Sequence, residues 1–195
     1  MLKPSQFIAA KYLDAEGWLE ARRTGISATT VAKASTASGF REVVEDWANP
    51  TPIEPNEYMR FGTEQEPQIA LWIKDTYGIM PNDWLIRHET NKIALATPDG
   101  LSLNGSAIAE IKTTGKDWGS VSKIPIAYKR QVQWQLYVTG ASYCVFAWLL
   151  REDANGVFVP AWFEPKVGVI ERDEKMIIDL VYTADELWAE IGKVE

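Results

Sequence analysis

The chain has 195 residues, 46% hydrophobic and 24% charged, which fits one soluble domain with a real core and predicts a single domain over 1–195. A formal net charge of −7 argues against a passive nucleic-acid binder, which carries a basic surface, but not against an enzyme that gathers carboxylates around metal ions. One cysteine excludes a disulfide framework and any cysteine-based zinc or iron–sulfur site, and no segment approaches the roughly 20 apolar residues of a membrane span, so the sequence reads as cytoplasmic, with no membrane partner.

In chain order, 14–23 has a helical pattern around Trp18 and Leu19, and 27–37 follows as a second helix with Ser27 as its N-cap. Pro50, Pro52 and Pro55 make 49–56 a loop, the segment best placed to meet substrate. A long helix is predicted over 57–77, where Ile69, Trp72, Ile73, Thr76 and Tyr77 fall on one stripe and Gly78 ends it. Strands are predicted at 84–87 and 93–97, and Asn104-Gly105 marks a turn into a further strand at 107–113. A helix over 124–139 is closed by Gly140. Strands at 142–150 and 157–163 are joined by a turn at 153–156, and Cys144 in the first reads as a buried small hydrophobe. Residues 168–192 are helical in pattern, with a break where Thr183 and Glu186 form a capping box. This order predicts an α/β or α+β fold, a sheet with helices packed on it.

The chemistry concentrates in Pro98-Asp99-Gly100 and Glu110-Ile111-Lys112. Alternation in a strand projects Glu110 and Lys112 from one face, about 7 Å apart, and sends Ile111 to the other with Ala107 and Ala109. The Asn104-Gly105 turn brings Asp99 alongside, so that Asp99 and Glu110 can share Mg²⁺ or Mn²⁺, with the Ile111 carbonyl as a further ligand. Lys112 would orient a water or offset charge on a phosphate oxygen. A half-exposed strand with a surface ion pair would show the same tripeptide. Glu66 weighs against that reading, because it precedes Ile69 and Ile73 by three and seven residues, on the inward face, where a carboxylate is costly unless paired or bound to metal. Gln131, one turn before Gln135 and on a face with Tyr128, is placed to align a water or a phosphate. Trp84 or Trp118, if exposed, would stack on a base. His88, the only histidine, is given no role.

Together these residues resemble the PD-(D/E)XK nuclease superfamily, with its central mixed sheet flanked by helices. The closer resemblance is to the lambda-type (YqaJ-like) viral alkaline exonucleases. It rests on four blocks between about residues 18 and 140: Trp18 to Thr29, Phe61-Gly62 to Glu66, Thr97-Pro98-Asp99-Gly100-Leu101 with Glu110-Ile111-Lys112, and Tyr128 to Gln133 with Val138-Thr139-Gly140. The resemblance implies a metal-dependent 5′→3′ exonuclease that degrades duplex DNA to mononucleotides, often as a ring-shaped trimer, and works with a single-strand annealing protein. It assigns catalysis to Glu66, Asp99, Glu110, Lys112 and Gln131, and metal binding to Asp99, Glu110, Ile111 and Glu66. Arg22, Thr29 and Thr97 match positions that bind a 5′-terminal phosphate. Where the family carries a further arginine after the lysine, this chain has Lys116, a point charge rather than a planar fork. Rival readings are an endonuclease of the same fold, a carboxylate-rich metal enzyme of another fold, and a catalytically silent partner-binding module. The retained Asp99, Glu110 and Lys112 speak against the last.

Overall fold

The computed structural model describes residues 2–11, 13–51 and 54–193. Side-chain caps set the helix starts. Asp14, Ser27, Thr36 and Asn56 each accept a backbone N–H, from Gly17, Thr30, Gly39 and Met59, and so begin α1 (Ala15–Arg22), α2 (Ala28–Ala34), α3 (Ala37–Ala48) and α4 (Glu57–Tyr77). Gly78 ends α4 at φ 68°, a left-handed conformation open to glycine without a Cβ penalty. The predicted helix over 27–37 is α2, capped by Ser27 as expected but ending at Ala34. At Ser35 the hydroxyl turns back to the Val31 carbonyl, and Thr36 caps the unanticipated α3.

Two sheets are present among the described residues. Strands β1 (Phe7–Ala10), β3 (Trp84–Arg87) and β4 (Leu95–Ala96) form a small antiparallel sheet in the order β1-β3-β4. The larger, mixed sheet runs β2 (Ile79–Pro81), β5 (Gly100–Ser102), β6 (Ala107–Thr114), β7 (Tyr143–Ala154) and β8 (Val157–Pro160), with β9 (Lys166–Glu171) also on β7. At its centre β6 and β7 pair in parallel from Ala107↔Tyr143 to Thr114↔Leu150. The crossover between them is α5 (Ile126–Thr139), closed by Gly140 in the left-handed region. Ala107, Ala109 and Ile111 pack with Val145, Ala147 and Leu149 under Ile69, Ala70 and Ile73 of α4. On the other face Ile108, Cys144, Phe146 and Trp148 pack against Val132 and Leu136 of α5. Beyond α5, the helices α2, α3 and α6 (Glu174–Ile191) enclose Trp134 and Val138 in a further apolar cluster. The result is a mixed sheet flanked by helices, as the strand and helix order predicts.

Five expectations are corrected. Residues 168–192 are not all helical, because Lys166–Glu171 pairs antiparallel with the central strand β7, from Tyr143↔Glu171 to Trp148↔Lys166. Val167, Val169 and Ile170 suit an extended chain, and the helix begins only after Asp173, which caps it. Nor does α6 break at Thr183, whose hydroxyl bonds the Asp179 carbonyl within a continuous helix. On α4 the stripe buries Ile69, Ala70 and Ile73, while Thr76 and Tyr77 are exposed. The strand expected at 93–97 contracts to β4, Ala94 adding a lone bridge to Ile26, and β8 stops at Pro160. Asn49 to Thr51 and Glu54 to Asn56 are in neither helix nor strand, and Pro52 and Ile53 of the expected loop lie outside the described residues. Among the described residues no helix is long and apolar enough to cross a membrane.

Candidate active site

Alternation along β6 turns Ile108, Glu110 and Lys112 toward α5, and the one-turn spacing of Gln131 and Gln135 meets them. Glu110 is only 1% exposed. Its Oε1 accepts from Gln131 Nε2 and from the Lys112 ammonium, and its Oε2 accepts from Gln135 Nε2 at 2.7 Å. A carboxylate this deep is stable only with such partners, and charge-assisted bonds are the strong ones. Of the roughly four lone-pair sites on a carboxylate, three are taken.

Asp99 arrives on the neighbouring hairpin, as the Asn104-Gly105 turn predicts. Gly100 pairs with Ala109, and Asp99 N donates to the Ala109 carbonyl at 3.0 Å. The Asp99 Oδ2 in turn accepts from Ile111 N at 2.6 Å. Burial, then the neighbouring Glu110, push the Asp99 carboxyl well above its usual range, and the Lys112 ammonium only partly offsets them. Burial works against the Lys112 ammonium too, but Glu110 and Asp99 outweigh it and hold its pKa above that of a free lysine. Lys112 also lies over the Tyr128 ring, 5.4 Å from its centre.

Glu66 is exposed, which corrects the expectation of an inward carboxylate. It lies on the stripe with Ile69 and Ile73, yet it is exposed between the buried Phe61 and Ile69, where α4 passes Thr113 near the end of β6, at the rim of the site. From this rim Glu66 still feels the site: partial burial raises its pKa, Lys11 opposes that, and Glu110 adds to it. The structure thus brings Asp99, Glu110, Lys112 and Gln131 together and leaves Glu66 at the edge. Among the described residues no three acidic, histidine or cysteine side chains converge to enclose a metal ion. The donors nevertheless suit a hard divalent cation: two carboxyl groups stand beside one ammonium, and Glu110 Oε2 keeps a free lone pair.

A second group surrounds Arg22. Its guanidinium stacks on Trp18, 4.6 Å from the ring centre, and Nη2 donates to Ser27 Oγ at 3.3 Å. Ser27 Oγ is 3.1 Å from Thr29 Oγ1. Burial lowers the Arg22 pKa without discharging a guanidinium. Arg22, Ser27 and Thr29 line a groove with Arg23, Trp47 and Pro50. Thr97, half-buried beside Pro98, and the exposed Lys116, whose N–H binds Thr114 Oγ1, are not among its lining residues.

The sequence marks Ser27 only as a helix cap and gives Gln135 no site role. The signals were its hydroxyl beside Arg22, five residues apart, and the i, i+4 glutamines. Trp118 is not a stacking platform, since it is buried against Tyr128, Phe146 and Trp148. Trp84 is 38% exposed and edge-on to Phe7. His88 fastens a turn: Nδ1 accepts from Asn91 N, and its ring stacks on Tyr137.

The sequence model of the YqaJ-like viral recombinase domain matches residues 17–142. The fold is similar to an alkaline exonuclease, LHK-Exo, from Laribacter hongkongensis, which is 26% identical, with TM-score 0.70, over 92% of this chain and 94% of that one. The same exonuclease in complex with dAMP aligns at TM-score 0.71 with the same identity and coverage. A phage related exonuclease from Haemophilus somnus shares the fold at 16% identity and TM-score 0.70, over 87% of this chain and 94% of that one. Among curated proteins no sequence match is found. The mixed sheet and helices are those of the PD-(D/E)XK-like exonucleases.

Proposed function

The chain belongs to the YqaJ-like viral recombinase family, and from that premise we propose that it is a metal-dependent exonuclease acting 5′→3′ on linear double-stranded DNA. It releases mononucleotides and leaves 3′ single-stranded tails for phage-type recombination. The observation that carries this reading is Glu110, a carboxylate buried to 1% exposure and held by two amides and an ammonium beside Asp99. A silent domain gains nothing by keeping such charges in its interior.

Asp99 and Glu110, with the Ile111 carbonyl and Glu66 from the rim, are the groups that would hold Mg²⁺ or Mn²⁺. Bound there, the cation would offset charge on the scissile phosphate and acidify a water. Lys112 remains charged and is aimed at the same point, where it stabilises the charge that develops on a phosphate oxygen. Gln131 and Gln135 act through Glu110, fixing its orientation before substrate arrives. Arg22, Ser27 and Thr29 hold the 5′-terminal phosphate in their groove, and Thr97 and Lys116 contact backbone nearer the carboxylates. A homotrimer around the duplex and a single-strand annealing partner complete the proposal.

The test is degradation of 5′-phosphorylated linear duplex with Mg²⁺ or Mn²⁺, alongside a closed circular control, EDTA and Lys112→Ala. Mononucleotides from linear DNA alone are expected, with the rate lowered at least about 10²-fold by Lys112→Ala and abolished by EDTA. Nicking of the circle would replace the exonuclease with an endonuclease of the same fold. Two intact substrates would refute a DNA-cleaving function.

A further inference from the structure

The end of β1 forms a short bridge to the acidic pair. Lys11 N donates to the Asp83 carbonyl at 3.2 Å, and the adjacent Asn82 N donates to the Asp99 carbonyl at 2.9 Å. Asn82 Nδ2 adds a bond to the Pro98 carbonyl at 2.8 Å. Two backbone hydrogen bonds therefore tie the Lys11 main chain to the Asp99 segment. The Lys11 ammonium lies 5.7 Å from the centre of the Trp18 ring, and the Arg22 guanidinium lies 4.6 Å from the same centre. With one indole shared, the two cations are no more than about 10 Å apart, those two distances end to end.

Neither cation has a carboxylate partner among the described residues, whereas Lys33, Lys166 and Lys193 each do. In a chain of net charge −7, two neighbouring cations free of carboxylate ion pairs are available to an incoming phosphate. Lys11 is joined by its main chain to the Asp99 segment and by Trp18 to Arg22. It stands between the Arg22 groove and the carboxylates.

We propose that Lys11 binds a backbone phosphate of the strand being cut, between the end seated at Arg22 and the scissile position at Asp99 and Glu110. This rests on the nuclease reading above. Lysine suits this position because a compact charge on a flexible stem follows a phosphate that advances after each cleavage, while the stacked Arg22 stays fixed. Trp18 supports both cations by its ring face and sets their separation.

The experiment measures binding without turnover, by fluorescence anisotropy of a 5′-phosphorylated hairpin duplex in Mg²⁺, with Lys112→Ala as the parent protein. Lys11→Ala is introduced into that parent and Kd is followed as salt rises. Loss of one phosphate contact lowers the slope of log K against log salt by about 0.9, so the affinity gap between the two proteins narrows about threefold from about 50 to about 200 mM salt. Lys11→Arg should restore the slope, and thermal unfolding of both variants should match the parent. A parent that fails to bind duplex DNA overturns the nuclease reading itself. Tight parent binding with an unchanged slope in Lys11→Ala, whether or not affinity falls, overturns the assignment of Lys11 alone.

Discussion

Gln135→Met separates positioning from folding more sharply than any other single change in this site. Methionine keeps the length and approximate volume of glutamine but removes its N–H. Glu110 Oε2 then loses its donor at 2.7 Å, and a bond to a charged group contributes about 1.5–3 kcal/mol. The same substitution removes Gln135 Oε1, which is buried with no hydrogen-bond partner and costs about 1–3 kcal/mol as it stands. The two effects nearly cancel. Stability should change by less than about 1.5 kcal/mol, a Tm shift below about 6 °C for a chain of this length. Activity does not benefit from the cancellation. Glu110 keeps two of its three donors and loses the one that fixes Oε2, so the rate of nucleotide release should fall about 10–100-fold. Gln133→Met is the control. Its amide binds the Glu171 carbonyl and Asp173 N, both structural, so this change should cost about 2–4 kcal/mol and leave the chemistry of the folded enzyme intact. Thermal unfolding and release of acid-soluble nucleotide from linear duplex read the two effects separately. If Gln135→Met keeps full activity, Gln135 is not a positioning residue. If it unfolds the protein, the assignment of an orphaned oxygen is wrong.

Other expectations follow from the same geometry. Mg²⁺ at about ten times its Kd should stabilise the protein by about 1.4 kcal/mol. Asp99→Asn should erase that rise in Tm, and an equal rise in the variant would remove Asp99 from the metal site. Asp117 is held down to about 2 by hydrogen bonds from Lys166, Gly119 N and the Trp148 indole. A depressed carboxylate contributes stability that is complete above its unfolded pKa and fades as pH falls toward the folded one. The wild-type Tm should therefore carry a decline between about pH 4 and pH 2 that Asp117→Asn lacks; identical profiles would contradict the ion pair. In β9, a Cβ on Gly168 would stand 2.1 Å from Val121 Cγ2, an impossible contact with a stiff side chain. Gly168→Ala should lower stability by about 1–3 kcal/mol, and Val121→Ala should recover part of it in chemical denaturation; a neutral Gly168→Ala would show that β9 does not dock there.

The amino-acid sequence by itself determined the local pieces and much of the chemistry. Asn104-Gly105 reverses the chain between Asp99 and Glu110, and alternation puts Glu110 and Lys112 on one face. The glutamines of α5 stand one turn apart. These are properties of two to ten adjacent residues, readable from strand and helix periods alone. The hairpin pairing Gly100↔Ala109 and the clasp of Gln131 on Glu110 follow them directly. What only the tertiary structure decided depends on distant partners. Residues 166–171 carry apolar side chains that suit a helix or a strand, and the open edge of β7 selected the strand. Glu66 has the spacing of an inward residue, yet it is exposed between the buried Phe61 and Ile69 of the same helix, which spacing alone does not show. Trp118 is core because three aromatic neighbours from α5 and β7 close around it. Likewise Lys11 lies far along the chain from Asp99 and reaches its side only through the Asn82-Asp83 turn. Periodicity states which face a residue shares with its neighbours. Whether that face meets protein, solvent or substrate is settled by the packing of elements far apart in sequence.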